Sequence, residues 1–293
     1  MVIVVLPTVS EVVVECARSI AGAGDVMLRR LGFIAIILAS LPTAAMAVDT
    51  GPRGNWTVSI GVDGWFLPRW QGSDGNYIFA PVPLLDVRKA GTPERFHGPR
   101  DGFGFALIDL GQFRAGPVAA IRLPRKEYKD TKLTGLGDVD AAYEFGIFAE
   151  YMWGTWLRTR AEVRQGTGGH HGVVADLYAD AVMPVSRQLI LSAGPRMTLA
   201  TGSATSPYFS VTSAQSAASG LPVYDAKGGV RAVGAGAKAR YLWNPQWGTH
   251  VFVEYERLMG DAKNSPIVTQ RGSADQWMFG MGVTYAFDMR AWW

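Results

Sequence analysis

The chain has 293 residues, 48 % hydrophobic and 18 % charged, with a net charge of +3 and one cysteine. So mild a positive balance gives no reason to expect nucleic acid as a partner. The lone thiol, Cys16, excludes a disulfide framework.

From Met27 the sequence runs Met-Leu-Arg-Arg, then the apolar stretch LGFIAIILASL at 31–41, then Ala45-Met46-Ala47. A charged start, a short apolar run and an Ala-x-Ala site in that order predict a secretory signal peptide over 27–47, removed on export. Residues 1–26 then lie upstream of the true translation start, and 48–293 form the mature protein as a single domain. No later segment offers the eighteen uninterrupted apolar residues that a spanning helix needs.

What recurs instead is alternation with period two. NWTVSIGVDGW sets Trp56, Val58, Ile60 and Val62 against Thr57, Ser59 and Asp63. VDAAYEFGIFAEYMW opposes Val139 to Trp153 on one face with Asp140, Glu144 and Glu150 on the other, and TWLRTRAEVRQG opposes Leu157, Thr159, Ala161 and Val163 with Arg158, Arg160, Glu162 and Arg164. VVADLYADAVM repeats the plan with Asp176, Tyr178 and Asp180, VGAGAKARYLW with Lys238 and Arg240, and THVFVEYERL with Glu254 and Glu256. The chain closes on QWMFGMGVTYAFDMRAWW, apolar at every odd position from Trp277 to Trp293. The pattern predicts strands at 55–66, 77–89, 102–109, 112–123, 139–153, 155–165, 172–184, 187–199, 229–243, 247–258 and 276–288. Single-chain bacterial barrels have even counts. Merging two early segments gives ten, and a short strand within 207–212 gives the favoured twelve.

A soluble β-sandwich also alternates. Strands of ten to fifteen residues, against about five or six in soluble sheets, favour a membrane. So do tryptophans near strand ends, Trp56, Trp65, Trp70, Trp153, Trp156, Trp243, Trp247 and Trp277, which would form interfacial girdles. Short turns at 153–154, 184–186 and 244–246 alternate with long polar stretches near 124–138, 165–172, 200–228 and 259–275. The expected fold is an all-β transmembrane antiparallel barrel of ten to twelve strands, with long extracellular loops and short periplasmic turns.

Four separated stretches carry a resemblance: WQGSDGNYIFAPVPLLDVR at 70–88, GTGGHHGVVADL at 166–177, YFSVTSAQSAASGLPVYDAKGG at 208–229 and RLMGDAKNSPIV at 257–268. In this order they resemble the motifs of the MipA/OmpV family of outer-membrane proteins, over nearly the whole mature chain. Members usually stop soon after the Tyr-x-Phe that is here Tyr285-Ala286-Phe287, whereas this chain adds six residues. The resemblance implies location in the outer membrane of a Gram-negative bacterium, with lipid around the wall and the barrel-insertion machinery as an assembly partner. It further implies a scaffold between a lytic transglycosylase and a bifunctional penicillin-binding murein synthase. A small-solute or ion channel and a surface adhesin, with 200–228 as its best contact loop, are the alternatives.

Charges are costly on a lipid face, so Arg158, Arg160, Glu162, Arg164, Asp176, Asp180, Lys238, Arg240, Glu254 and Glu256 are expected to line the lumen. Mixed signs facing each other predict a plugged or very narrow bore. His170 and His171 sit in a glycine-rich loop where adjacent side chains diverge, which favours a structural turn over a metal site. Asp261, Asn264 and Ser265, with Lys263, form a long-loop contact or a local turn. Nothing in the sequence points to a catalytic set, a cofactor or an enzyme.

Overall fold

The computed structural model describes residues 56–92 and 94–290. The expected signal, the upstream residues 1–26 and the final three residues lie outside them. Twelve strands follow in chain order: β1 (Trp56–Pro68), β2 (Tyr77–Lys89), β3 (Phe103–Gly104), β4 (Ile108–Asp109), β5 (Phe113–Arg122), β6 (Ala142–Trp153), β7 (Leu157–Gly168), β8 (Val173–Pro184), β9 (Leu189–Ala200), β10 (Gly229–Leu242), β11 (Trp247–Leu258) and β12 (Asp275–Met289). They make one antiparallel sheet in the order β2-β1-β12-β11-β10-β9-β8-β7-β6-β5-β3, with β4 also on β5. From β4 to β12 each strand pairs with its sequence neighbour, and the hairpin of β1 and β2 joins the rest through β12, where Trp56 faces Met289 and Phe66 faces Phe279. Among the described residues no ladder joins β2 to β3, β4 or β5.

Ten strands are between 10 and 15 residues long. Twelve residues at about 3.4 Å each run about 40 Å, which at a tilt of about 45° crosses about 28 Å, enough for an apolar band about 25 Å tall. Among the described residues no helix is long and apolar enough to cross a membrane. The burial pattern is inverted relative to a soluble sheet. Glu144, Arg158, Glu162 and Asp180 are each 1 % exposed or less, whereas Leu85 is 73 %, Met281 62 % and Phe145 60 % exposed. A sandwich would bury the second set; a lipid-embedded wall presents it outward and turns the charges in.

The structure has twelve strands, but the twelfth is not where the alternation placed it. Residues 102–109 do not span; they contribute only the two-residue ladders of β3 and β4 on β5. Residues 207–212 are not a strand either. They are the end of the helix α1 (Gly202–Phe209) and the three residues after it, and the one pairing there is the isolated bridge between Val211 and Tyr224.

The turns at 154–156, 185–188 and 243–246 share a rim with the start of β1 and the end of β12, where Trp56 faces Met289. This rim is therefore periplasmic. It carries an aromatic pattern twice over: Tyr151 packs on Trp153 at 4.6 Å and Trp153 Nε1 donates to Thr159 at 2.9 Å, while Tyr241 packs on Trp243 at 4.8 Å and Trp243 Nε1 donates to Thr249 at 3.0 Å. Rings in lipid and indole N–H groups satisfied across the turn suit an interfacial girdle. Two of the expected girdle tryptophans lie elsewhere. Trp65 turns into the lumen, edge-on to the buried Phe252, and Trp70 is 4 % exposed within the extracellular loops. Trp70 stands two residues past β1, so its side follows the loop rather than the strand.

Candidate functional site

The lumen wall is built by the inward positions of neighbouring strands. Register sets Glu150 of β6 opposite Arg160 of β7, and Arg158 opposite Asp180 of β8. From there the guanidiniums fan out. Arg158 donates to Glu150 at 2.8 Å, Asp180 at 3.0 Å and Asp101 at 2.5 Å. Arg160 donates to Glu162 at 2.7 Å and Glu150 at 3.2 Å, its cationic carbon 3.9 Å from the centre of the Phe148 ring. Arg164 reaches Glu144 at 3.0 Å and also bonds Glu162 and Asp176, so it separates two carboxylates that the register sets face to face. Arg196 of β9 carries the network on to Asp180 at 2.6 Å and to Glu254 of β11 at 3.4 Å. Planar five-donor guanidiniums suit this sharing among several acceptors, and lysines would not.

Lys238, Arg240 and Glu256 are only half-buried and do not touch this cluster. They hold a second layer, which the sequence reading missed. The segment 90–112 leaves the wall at Lys89 on the periplasmic rim and returns there at Phe113, which faces Tyr151. Between these points it turns into the lumen. Lys238 Nζ donates to the His97 carbonyl at 3.1 Å, Arg240 pairs with Glu94, Arg100 pairs with Glu254 at 3.7 Å and with Glu256, and Asp101 takes Arg158. Arg95 closes its base on Asp109 at 3.0 Å and the Gly111 carbonyl at 2.8 Å. The charged bore is thus filled from below.

The extracellular loops fill it from above. The stretches 69–76, 123–141, 201–228 and 259–274 fold over the mouth with the helices α1, α2 (Ser213–Ser219), α3 (Gly260–Asn264) and α4 (Pro266–Arg271). One buried cluster joins Trp70, Leu133, Leu136, Val211, Leu221 and Ile267, and a second includes Val139, Tyr208, Phe209, Leu258 and Val268. Trp70 Nε1 donates to Asp130 at 2.9 Å and Asn76 to the same oxygen at 3.1 Å, while Asp130 also accepts from the Lys132 amide. Burial pushes the Asp130 carboxyl up, but those three donors outweigh it and hold it below the usual carboxylate range. A depressed value means that this contribution is complete above the unfolded carboxylate value of about 3.9 and fades as pH falls through the folded one. Loosening of the cap, followed by Trp70 fluorescence, is therefore expected in acid below about pH 4, with Asp130→Asn already loosened at neutral pH. An unchanged signal in Asp130→Asn would remove Asp130 from this role.

The loop residues singled out in the sequence divide accordingly. His170 is buried, its Nε2 3.0 Å from Glu144, and its ring lies edge-on to Tyr208 at the top of the lumen. A Cβ at Gly166 would stand 2.1 Å from that ring, which is why the glycine-rich turn is needed. His171 points away to solvent, and its carbonyl accepts from Gln165 at 2.7 Å. Ser265 is fully buried and donates to the Phe209 carbonyl at 2.6 Å. Asp261 accepts from the Lys227 amide at 2.7 Å, whereas Asn264 is exposed. Ser265 thus ties the start of α4 to α1, Asp261 ties α3 to the loop before β10, and Asn264 lies at the surface. No group of three or more His, Cys, Asp or Glu side chains among the described residues is arranged to hold a metal ion.

Solved structures with a similar course of strands include an outer membrane channel from Pseudomonas putida F1, at 9 % identity over 83 % of this chain and 100 % of that one, TM-score 0.41. The NanC porin, at 10 % identity over 78 % and 98 %, and a loop-deleted OmpT of Vibrio cholerae, at 9 % over 79 % and 98 %, each give a TM-score of 0.37. No curated protein matches. The model of one family does match, that of the MltA-interacting protein MipA, over residues 60–287, from within β1 to within β12. It takes in the lumen network, the segment that fills it and the cap, so the chain belongs to the MipA family and is an outer-membrane β-barrel.

Proposed function

We propose that this protein is a closed, non-catalytic barrel that docks murein enzymes at its periplasmic rim, a lytic transglycosylase and a bifunctional penicillin-binding murein synthase being the partners. The observation that carries this reading is the segment 90–112. On sequence the periplasmic rim looked plain, with short turns only, and gave a partner little to hold. The segment instead begins and ends there and presents Leu107 and Leu110, 73 % and 62 % exposed, beside the Arg95–Asp109 pair. Exposed apolar side chains rimmed by charge mark interaction surfaces. The family's printed description, as an interacting protein of MltA, points the same way.

Interleaved charges and a filled bore speak against a channel, since conduction needs an open, continuously wetted path. The cap also packs much of 200–228 into its core, which leaves an adhesin less free loop than the sequence suggested.

The test combines two measurements on refolded protein. On a sensor surface, both murein enzymes bind saturably, and replacing 105–111 with a glycine-serine turn of equal length weakens binding at least tenfold while heat-modifiable migration persists. In a planar bilayer the same protein gives no steady current steps. Absence of enzyme binding by folded protein, or reproducible single-channel steps, would overturn the reading.

A further inference from the structure

Between the cap and the ion-pair network lies a cavity of about 170 Å³ that neither feature explains. Arg100, Arg122, Arg231, Glu254 and Glu256 line it. Arg100 is occupied by the two glutamates, and Arg122 by Glu144 at 2.8 Å. Arg231 is different. It is 6 % exposed, yet its side chain has neither a hydrogen bond nor an ion pair among the described residues, and its Nη1 is fully enclosed without an acceptor. With Arg100 taking both glutamates and Arg122 taking Glu144, no carboxylate among the described residues stands within ion-pair distance of Arg231. A buried, unpaired guanidinium is among the costliest groups a fold can hold. Gln71 adds a second vacancy at the same cavity, its enclosed Oε1 without a donor. Rotating that amide by half a turn would offer N–H groups instead.

The cavity also borders a gap in the backbone pairing of the wall. The β1–β12 ladder stops at Phe66–Phe279, although β1 runs on to Pro68 and β12 begins at Asp275. Pro68 has no N–H to extend the ladder. Above the gap the strands are rejoined by other means: the Ser273 amide donates to the Gly72 carbonyl at 2.8 Å, and the Gly72 amide to Gln276 at 3.1 Å. Leu67, Pro68, Trp277 and Met278 frame the window left between and line the cavity, and Trp277 is also 47 % exposed on the outer face. The window thus joins a cationic chamber to the outer-leaflet side of the wall.

We propose that this chamber binds an oxyanion of the phosphate type, held by Arg231 with Arg122 and Gln71, and that the window admits it as the headgroup of a membrane amphiphile. The reading goes beyond the docking function and does not depend on it. Size supports a headgroup rather than a whole lipid, since a cavity of about 150 Å³ accepts a molecule the size of benzene. Apolar window edges suit an alkyl chain, and the planar guanidinium fork suits phosphate oxygens.

The test is calorimetric titration of the refolded protein in a non-ionic detergent, with inorganic phosphate and with dodecyl phosphate as probes. Saturable one-to-one binding is expected, weakened at least tenfold in Arg231→Gln and less in Arg231→Lys, which keeps the charge but loses the fork. Dodecyl phosphate binding at least tenfold tighter than phosphate, and reduced to the phosphate level by Leu67→Trp, identifies the membrane as the source. Equal affinity for the two probes, untouched by Leu67→Trp, identifies a free anion and overturns the window. No saturable binding of either probe by folded wild-type protein overturns the site, as does unchanged binding in an assembled Arg231→Gln. The wild-type titration decides the matter even if that variant does not assemble.

Discussion

Arg158→Met is expected to destabilise the barrel by about 3–5 kcal/mol, the range for removing one partner from a buried ion pair. Arg158 is 1 % exposed and satisfies Glu150, Asp180 and Asp101 at once. Methionine fills much of its volume, so the loss comes from carboxylates left facing one another in a dry bore rather than from a void. Arg158→Lys recovers only part, because an ammonium cannot span three acceptors on β6, β8 and the segment that fills the lumen. The diagnostic variant combines Arg158→Met with Glu150→Gln and Asp180→Asn. Neutralising the acceptors should return a large share of the lost stability, a non-additivity expected of side chains in one network. Urea unfolding in detergent micelles, read by heat-modifiable migration, measures each variant. A triple variant no more stable than Arg158→Met alone would show that packing, not charge balance, holds this part of the lumen.

Trp70→Ala should cost about as much, roughly 3–5 kcal/mol for truncating a large buried aromatic, but the damage should fall elsewhere. Trp70 joins 69–76 to the cluster of Leu133, Leu136, Val211, Leu221 and Ile267, and its indole N–H satisfies Asp130. None of these partners belongs to the long strands. The cap should therefore open while the wall stays assembled: trypsin would cut at Lys132 and Arg271, now held against the cap, before heat-modifiable migration is lost. Arg271 is a sharp reporter because it donates to the carbonyls of Lys132 and Thr134 at 3.0 Å each and to that of Ser219. Trp70→Phe keeps most of the packing and loses one hydrogen bond, so about 1–2 kcal/mol is expected. Equal protease resistance in wild type and Trp70→Ala would mean that the cap is held by its polar contacts alone.

The wall was legible in the sequence because alternation is local: each strand shows its two faces within a few residues, and Arg158 to Arg164 announce an inward row whichever strands flank them. The cap was partly legible. Thr212 and Gln215 form a capping box at the start of α2, a helix-start signal present in the loop that the strand search passed over. The filling of the lumen was not legible. Phe103, Phe105 and Leu107 alternate like a strand, but the course of 94–102 is set by the ion pair of Glu94 with Arg240 and the hydrogen bond from Lys238 to the His97 carbonyl, partners 146 and 141 residues away. Trp70 misled for a related reason. Position near a strand end suggests a girdle, whereas its partner Asp130 is 60 residues distant.

The ladder between β1 and β12 bears on the order of assembly. Thr57 Oγ1 donates to Asp288, 231 positions further along the chain, at 2.5 Å. Among the described residues the first hairpin meets the sheet only through the last strand, so it has no neighbour there to pair with until β12 has been made. Every other wall strand has its neighbour close in sequence. A chain that ends before β12 can thus form the middle of the wall but leaves β1 and β2 as a stray hairpin with unpaired backbone groups, a form that lipid does not tolerate. Closure that rests on so distant a pairing is slow. Maturation of this protein is thereby tied to completion of its carboxyl end, and truncated copies carry a built-in mark of their own incompleteness.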